Sequence, residues 1–277
     1  MSERLRFLII DCYDADGQLS LQKSGATLGG QLYLKLLNIL APDAQKDIYN
    51  IALLDQVEID PSIYDGACWT GSNLFLSADN PACINHINLC HAFFERGTPQ
   101  FGSCWAAQLA SVTAGGTVAA NPLGREFGYI RDIKKTEAGK SHPMLQGKPD
   151  TYACFASHRD SITELSAQAE ILSGNAHSAV QALDVLFLNG HFWATQYHSE
   201  YDYAEVGNLA QTRKQALIND AVFETEADVD LFSEDLLEYQ NSQGQSLEIR
   251  YGFDPAMRYP AENAFELRNW LAHFFNL

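Results

Sequence analysis

No run of this 277-residue chain is apolar over the ~20 residues that a bilayer-spanning helix needs. Basic residues are scarce: 18 Lys and Arg stand against 35 Asp and Glu, a formal net charge of −17. A surface that acidic repels phosphate backbones and anionic lipid, so neither nucleic acid nor a membrane surface is expected as a partner. Cysteine is limited to positions 12, 68, 83, 90, 104 and 154, mostly in or beside apolar runs, as free core cysteines are. The first residues, Met1 to Arg6, lead straight into a strand-like run without a secretory pattern. A reduced, cytoplasmic protein is the expectation. There is no Gly-rich nucleotide loop, no internal repeat and no low-complexity tract. No cofactor is called for.

What is present is ordinary for a soluble globular protein: 46% hydrophobic and 19% charged residues. Arg6 to Asp11 is apolar on both faces, as a buried parallel strand is. Asp14 to Gly25 is expected to be a polar loop. Leu28, Leu32, Leu36 and Leu40 recur at helical spacing until Pro42. Strands are expected at Asp47 to Leu54 and Tyr64 to Trp69. A helix carries Ile84, Ile87, His91 and Phe94 and closes at Gly97. Strand, helix, strand, helix in order predicts an α/β fold, a doubly wound, mostly parallel sheet of flavodoxin-like type. Alternating runs at 124–133, 151–156 and 178–188 predict an added antiparallel section. After Tyr203 helical spacing returns in three segments, around Val206 to Leu217, Val229 to Leu237 and Phe265 to Phe274. A polar turn is expected at Asn241 to Gln245.

The stretch Gln100-Phe101-Gly102-Ser103-Cys104-Trp105-Ala106-Ala107-Gln108 joins an apolar strand to an amphipathic helix. Small residues two before and two after Cys104 fit a sharp turn that lifts the sulfur clear of the sheet. A helix N-terminus there favours thiolate. The backbone N–H of Trp105 would face an oxyanion formed by attack on a carbonyl. Ninety-four residues on, an apolar run ends in His198-Ser199-Glu200. Residues i and i+2 at a strand end point the same way, so Glu200 can orient the imidazole of His198. Cys83, His86, Cys90 and His91 suggest a metal. However, Cys83, Ile87, Cys90 and Phe94 share one apolar helical face, and no second pair at ligand spacing follows.

The two stretches together resemble the class I glutamine amidotransferases, whose Cys–His–Glu triad sits in Gly-x-Cys-x-Gly-x-Gln and His-Pro-Glu. Ala106 and Ser199 replace the second Gly and the Pro. Glu126-Phe127-Gly128 and Ser157-His158-Arg159-Asp160 are similar to stretches of the amidotransferase domain of GMP synthetase. The resemblance covers about residues 5–205. It implies Cys104 as nucleophile, His198 as base and Glu200 as its orienting acid. It implies Gly71 as a second oxyanion donor beside Trp105, and Gln108, His158 and Asp160 as substrate-binding residues. Taken without the resemblance, Gly71 is a turn glycine and His158 a capped turn histidine. The implied substrate is glutamine or a γ-glutamyl compound, and the implied product is ammonia. Ammonia would pass to a synthetase or ligase partner subunit; the alternatives are a stand-alone γ-glutamyl hydrolase or a regulatory member of the fold. An amidotransferase-like domain over 1–205 and a helical extension over 206–277, packed on the same domain, are expected. The extension has three roles open to it: padding, a homodimer contact or a cover for the cleft.

Overall fold

The computed structural model describes residues 4–53, 58–77, 80–242 and 245–277. The strands are β1 (Arg6–Ile10), β2 (Gln45–Tyr49), β3 (Gly66–Trp69), β4 (Gln100–Ser103), β5 (Thr117–Ala120), β6 (Glu126–Lys135), β7 (Thr151–His158), β8 (Asp160–Glu164), β9 (Ala169–Gly174), β10 (Ala182–Phe187) and β11 (Gly190–Thr195). The helices are α1 (Ala15–Lys23), α2 (Gly29–Leu40), α3 (Pro81–Arg96), α4 (Trp105–Thr113), α5 (Glu137–Ser141), α6 (Tyr203–Thr212), α7 (Lys214–Asn219), α8 (Glu226–Ser242), α9 (Gln245–Tyr251), α10 (Pro260–Asn263) and α11 (Phe265–Phe275).

Among the described residues nine strands form one sheet, in the order β2-β1-β3-β4-β11-β10-β9-β6-β7. The strands from β2 to β11 in that order run parallel. The rest, from β10 to β7, add on antiparallel. β5 and β8 pair separately. This is the doubly wound α/β sheet with an antiparallel section that the sequence predicts. Among the described residues no helix is long and apolar enough to cross a membrane.

The pleat sorts the core into two layers, because successive side chains of a strand point to opposite faces. Phe7 and Ile9 of β1 join one cluster, with residues of α2, α6, α8 and α11. Leu8 and Ile10 join the other, with residues of α3 and α4. The tail therefore covers the sheet face that α2 leaves open. Trp270 of α11 lies 5.8 Å from Phe7 and 6.0 Å from Phe101, ring to ring.

Several boundaries differ from the sequence expectation. Asp14 to Gly25 is largely helix, not loop: Asp14 caps α1 by accepting from Gly17 N at 2.8 Å. The expected second strand ends at Tyr49, a 3-10 turn follows at Ile51–Leu53, and Leu54 lies outside the described residues. β3 begins at Gly66 rather than Tyr64. The segment Val206 to Leu217 is two helices with Arg213 at the break. The expected polar turn is mostly occupied by helix, since α8 runs to Ser242; Gln243 and Gly244 lie outside the described residues.

Candidate active site

Three parallel neighbours, β3, β4 and β11, end at the same edge of the sheet. Trp69 pairs with Gly102, and Ser103 pairs with Thr195. Gly71 lies two residues past its strand, Cys104 one and His198 three. Adjacent parallel strand ends thus bring together residues that are far apart in sequence.

The turn at Cys104 is strained, with φ 58° and ψ −108° in a residue that has a side chain. Its own N–H donates to Thr195 O at 2.7 Å, which fixes the turn to β11. A Cβ on Gly102 would stand 2.5 Å from Ala106 Cβ and 2.9 Å from Trp69 O. Glycine at 102 is what leaves room for alanine at 106. The thiol faces Ser157 O at 3.7 Å.

His198 is anchored by its N–H to Phe155 O at 2.8 Å. Its Nδ1 meets Glu200 Oε1 at 2.7 Å, and Cys104 is near enough for its charge to act on the ring. The imidazole lies flat on Tyr201, with ring centroids 3.9 Å apart and planes within 7°. Both His198 and Glu200 are buried. Burial alone would lower the His198 pKa. The charges of Glu200 and Cys104, with the hydrogen bond to Glu200, outweigh it and raise the value to about 9.

Gly71 adjoins the pair: a Cβ there would come within 3.3 Å of His198 Cε1 and 3.7 Å of Cys104 Cβ. Its φ is not among the positive values of the chain, so room, not a left-handed backbone, is what glycine supplies here. Trp105 opens α4, directly after the thiol.

Cys104, Trp105, Gln108, His158 and Asp160 line one cleft of about 280 Å³. Within it the side chains are more committed than the sequence suggests. Gln108 Nε2 donates to Asp160 O at 3.1 Å and to Gln196 Oε1 at 3.3 Å. The two ring nitrogens of His158 meet Asp160 O at 3.0 Å and Glu126 Oε2 at 2.9 Å. Glu126 also accepts from Asn175 at 2.6 Å and Gln181 at 2.7 Å. Burial would raise its pKa, but these donors and the nearby His158 hold it low. Asp160 lines the cleft, and its pKa is raised chiefly by burial.

Sequence reading missed Ser103, Tyr33, Tyr201 and Arg213. Ser103 carried a signal, a polar residue closing a buried strand beside the thiol. Arg213 carried none, because it interrupts a run that otherwise has helical spacing.

The family model "Glutamine amidotransferase class-I" matches residues 70–211, a little over half of the chain. A gamma-glutamyl-L-1-hydroxyisopropylamide hydrolase of Pseudomonas sp is 27% identical over 227 residues, 76% of this chain and 72% of that protein. A glutamine-hydrolyzing GMP synthase of Clostridium botulinum is 27% identical over 160 residues, 57% of this chain. The match spans only 28% of that synthase. The crystal structure of a glutamine amidotransferase from Thermotoga maritima superposes with a TM-score of 0.67 at 15% identity, covering 98% of each chain.

Proposed function

The chain belongs to the class I glutamine amidotransferase family, and from that premise we infer that it hydrolyses the γ-amide of glutamine through a thioester on Cys104. The observation that carries the reading is the buried His198–Glu200 pair, 2.7 Å apart, beside the strained turn at Cys104, with Gly71 next to both His198 and Cys104. In this reading the sulfur attacks the γ-carbonyl carbon as the proton of the thiol resides on His198. The N–H groups of Gly71 and Trp105 receive the oxyanion, a contribution of about 3 kcal/mol per donor. The imidazolium then gives its proton to the leaving nitrogen, and ammonia departs. Water, deprotonated by His198, cleaves the thioester and leaves glutamate. Glu200 holds the tautomer and orientation of the ring throughout.

Substrate binding falls to the cleft. Gln108 and His158 act by bracing the Asp160 backbone, and the Asp160 carboxylate takes the α-ammonium of glutamine. The six cysteines are free and buried, which suits a reducing cytoplasm. Ammonia release implies an acceptor, and the similarity to a GMP synthase over 28% of its length suggests a separate synthetase partner.

A second reading has the same chemistry with a larger amine as leaving group, in a protein that acts alone. The similarity to the Pseudomonas hydrolase, over 72% of that protein, favours it. Incubation of purified protein with glutamine, and separately with γ-glutamyl alkylamides, tests both. Mass spectrometry is expected to find an acyl adduct on Cys104, and Cys104→Ala is expected to lose turnover with the fold retained. Unchanged amine release by that variant would remove Cys104 from the reaction. Turnover of alkylamides with negligible glutaminase activity would select the second reading.

A further inference from the structure

The cleft beside Cys104 runs against the charge of the chain. The whole sequence carries −17, yet the cleft is lined by Arg125, Arg159 and Arg213 against Asp160 alone among the carboxylates. An acidic molecule with an arginine-lined cleft concentrates anions there.

Arg125 and Arg159 have a counterion. Arg125 Nε donates to Asp220 Oδ2 at 2.8 Å, and Arg159 Nε lies 3.7 Å from Asp220 Oδ1. Arg213 differs. Among the described residues no carboxylate forms an ion pair with it. It donates from Nη2 to Tyr13 OH at 3.2 Å, while its Nε is buried without a hydrogen-bond partner. A guanidinium presents five N–H donors in a fork that matches a carboxylate. One that lines a cleft without a carboxylate partner is able to pair there with an anionic ligand. Tyr13, Tyr201 and Cys104 are near enough to act on its charge. The break between α6 and α7 is the backbone feature that holds it there: Arg213 closes one helix and opens the next.

We propose that Arg213 anchors the α-carboxylate of the γ-glutamyl substrate and thereby sets which acyl donors the cleft accepts. The residue lies just beyond the family-model match, so the helical extension supplies part of the specificity. This rests on the γ-glutamyl reading above. It makes Arg213 a binding residue for the end of the substrate remote from the reacting bond.

The test compares the unaltered protein, Arg213→Met and Arg213→Lys on two amides. One is glutamine; the other is 4-aminobutanamide, which is glutamine without its α-carboxylate. Arg213→Met is expected to raise KM for glutamine about 10- to 100-fold with kcat changed less than about threefold, as loss of a charged hydrogen bond does. KM for 4-aminobutanamide is expected to stay the same, and Lys is expected to recover part of the loss on glutamine. An unchanged KM for glutamine, or an equal loss on both amides, would overturn the role of Arg213. Calorimetric titration of glutamine into Cys104→Ala, with and without Arg213→Met, separates this inference from the hydrolytic reading. Binding that depends on Arg213, with a parent protein that turns over neither amide, keeps the anchor and sinks the hydrolysis. Binding indifferent to Arg213 sinks the anchor whatever the turnover.

Discussion

Ser103 Oγ donates to Glu200 Oε1 at 2.6 Å, the same oxygen that meets His198 Nδ1 at 2.7 Å. Tyr33 OH in turn donates to Ser103 Oγ at 3.1 Å. The residue before the thiol thus steadies the carboxylate that orients the imidazole, and one turn of backbone serves both ends of the site. Ser103→Ala removes a buried donor from a carboxylate, a contact worth about 1.5–3 kcal/mol. A fall in kcat/KM of roughly tenfold is expected, with the circular dichroism spectrum unchanged. An unaltered rate would show that His198 alone suffices to hold Glu200.

Gly71 offers a test of space. Alanine there puts a methyl group 3.3 Å from His198 Cε1, tighter than ordinary van der Waals contact. Because the φ of Gly71 lies outside the positive set, the backbone itself accepts alanine. Gly71→Ala is therefore expected to lower activity more than tenfold while shifting the unfolding midpoint little. A large loss of stability with normal activity per folded molecule would reverse that assignment.

The parts of this site that were legible from sequence are those that rest on local patterns. Gly102, Cys104 and Ala106 mark a strand-to-helix turn through their sizes and order, and His198-Ser199-Glu200 marks a strand end by its i, i+2 spacing. What was not legible depends on pairing across the sheet or on tertiary position. The extra strand β9 is short, and its apolar residues Ile171 and Leu172 are adjacent rather than alternating. α1 has only Gly17 and Leu21 buried, too little for a helical stripe, and it stands on the Asp14 cap. The commitment of both His158 nitrogens depends on Glu126, which β6 sets opposite His158 on β7. Arg213 needed the break between two helices that a hydrophobic period does not reveal.

The imidazole of His198 links the site to pH. Its pKa of about 9 in the folded protein exceeds the ~6.5 of an unfolded chain. A group raised on folding contributes stability that is whole below about 6.5 and lost as pH climbs through about 9. The difference is worth at most about 3 kcal/mol. Denaturant midpoints are expected to fall between pH 6.5 and 9.5 in the parent and to fall less in His198→Gln. Activity that needs the imidazolium to protonate the leaving nitrogen is expected to fall as pH climbs through about 9. Glu200→Gln, which removes a charge that holds the value up, is expected to move that fall to lower pH. Parallel midpoint curves for parent and His198→Gln would refute the linkage.

The tail is proposed as part of the same folding unit as the first 205 residues, and one buried contact tests it. Lys148 Nζ meets Glu266 Oε1 of α11 at 2.6 Å, with both side chains out of solvent. Tyr197 OH donates to the same oxygen at 2.5 Å, one residue before His198. Glu266→Ala leaves the Lys148 ammonium buried and unpaired, a change that costs about 3–5 kcal/mol. Pairing it with Lys148→Met removes that charge and is expected to restore most of the loss. Because α11 packs on β1 and β4, unfolding followed by tryptophan fluorescence and by circular dichroism is expected to give one coincident transition in every variant. A separate early transition for the tail, with the sheet intact, would make residues 206–277 an independent unit.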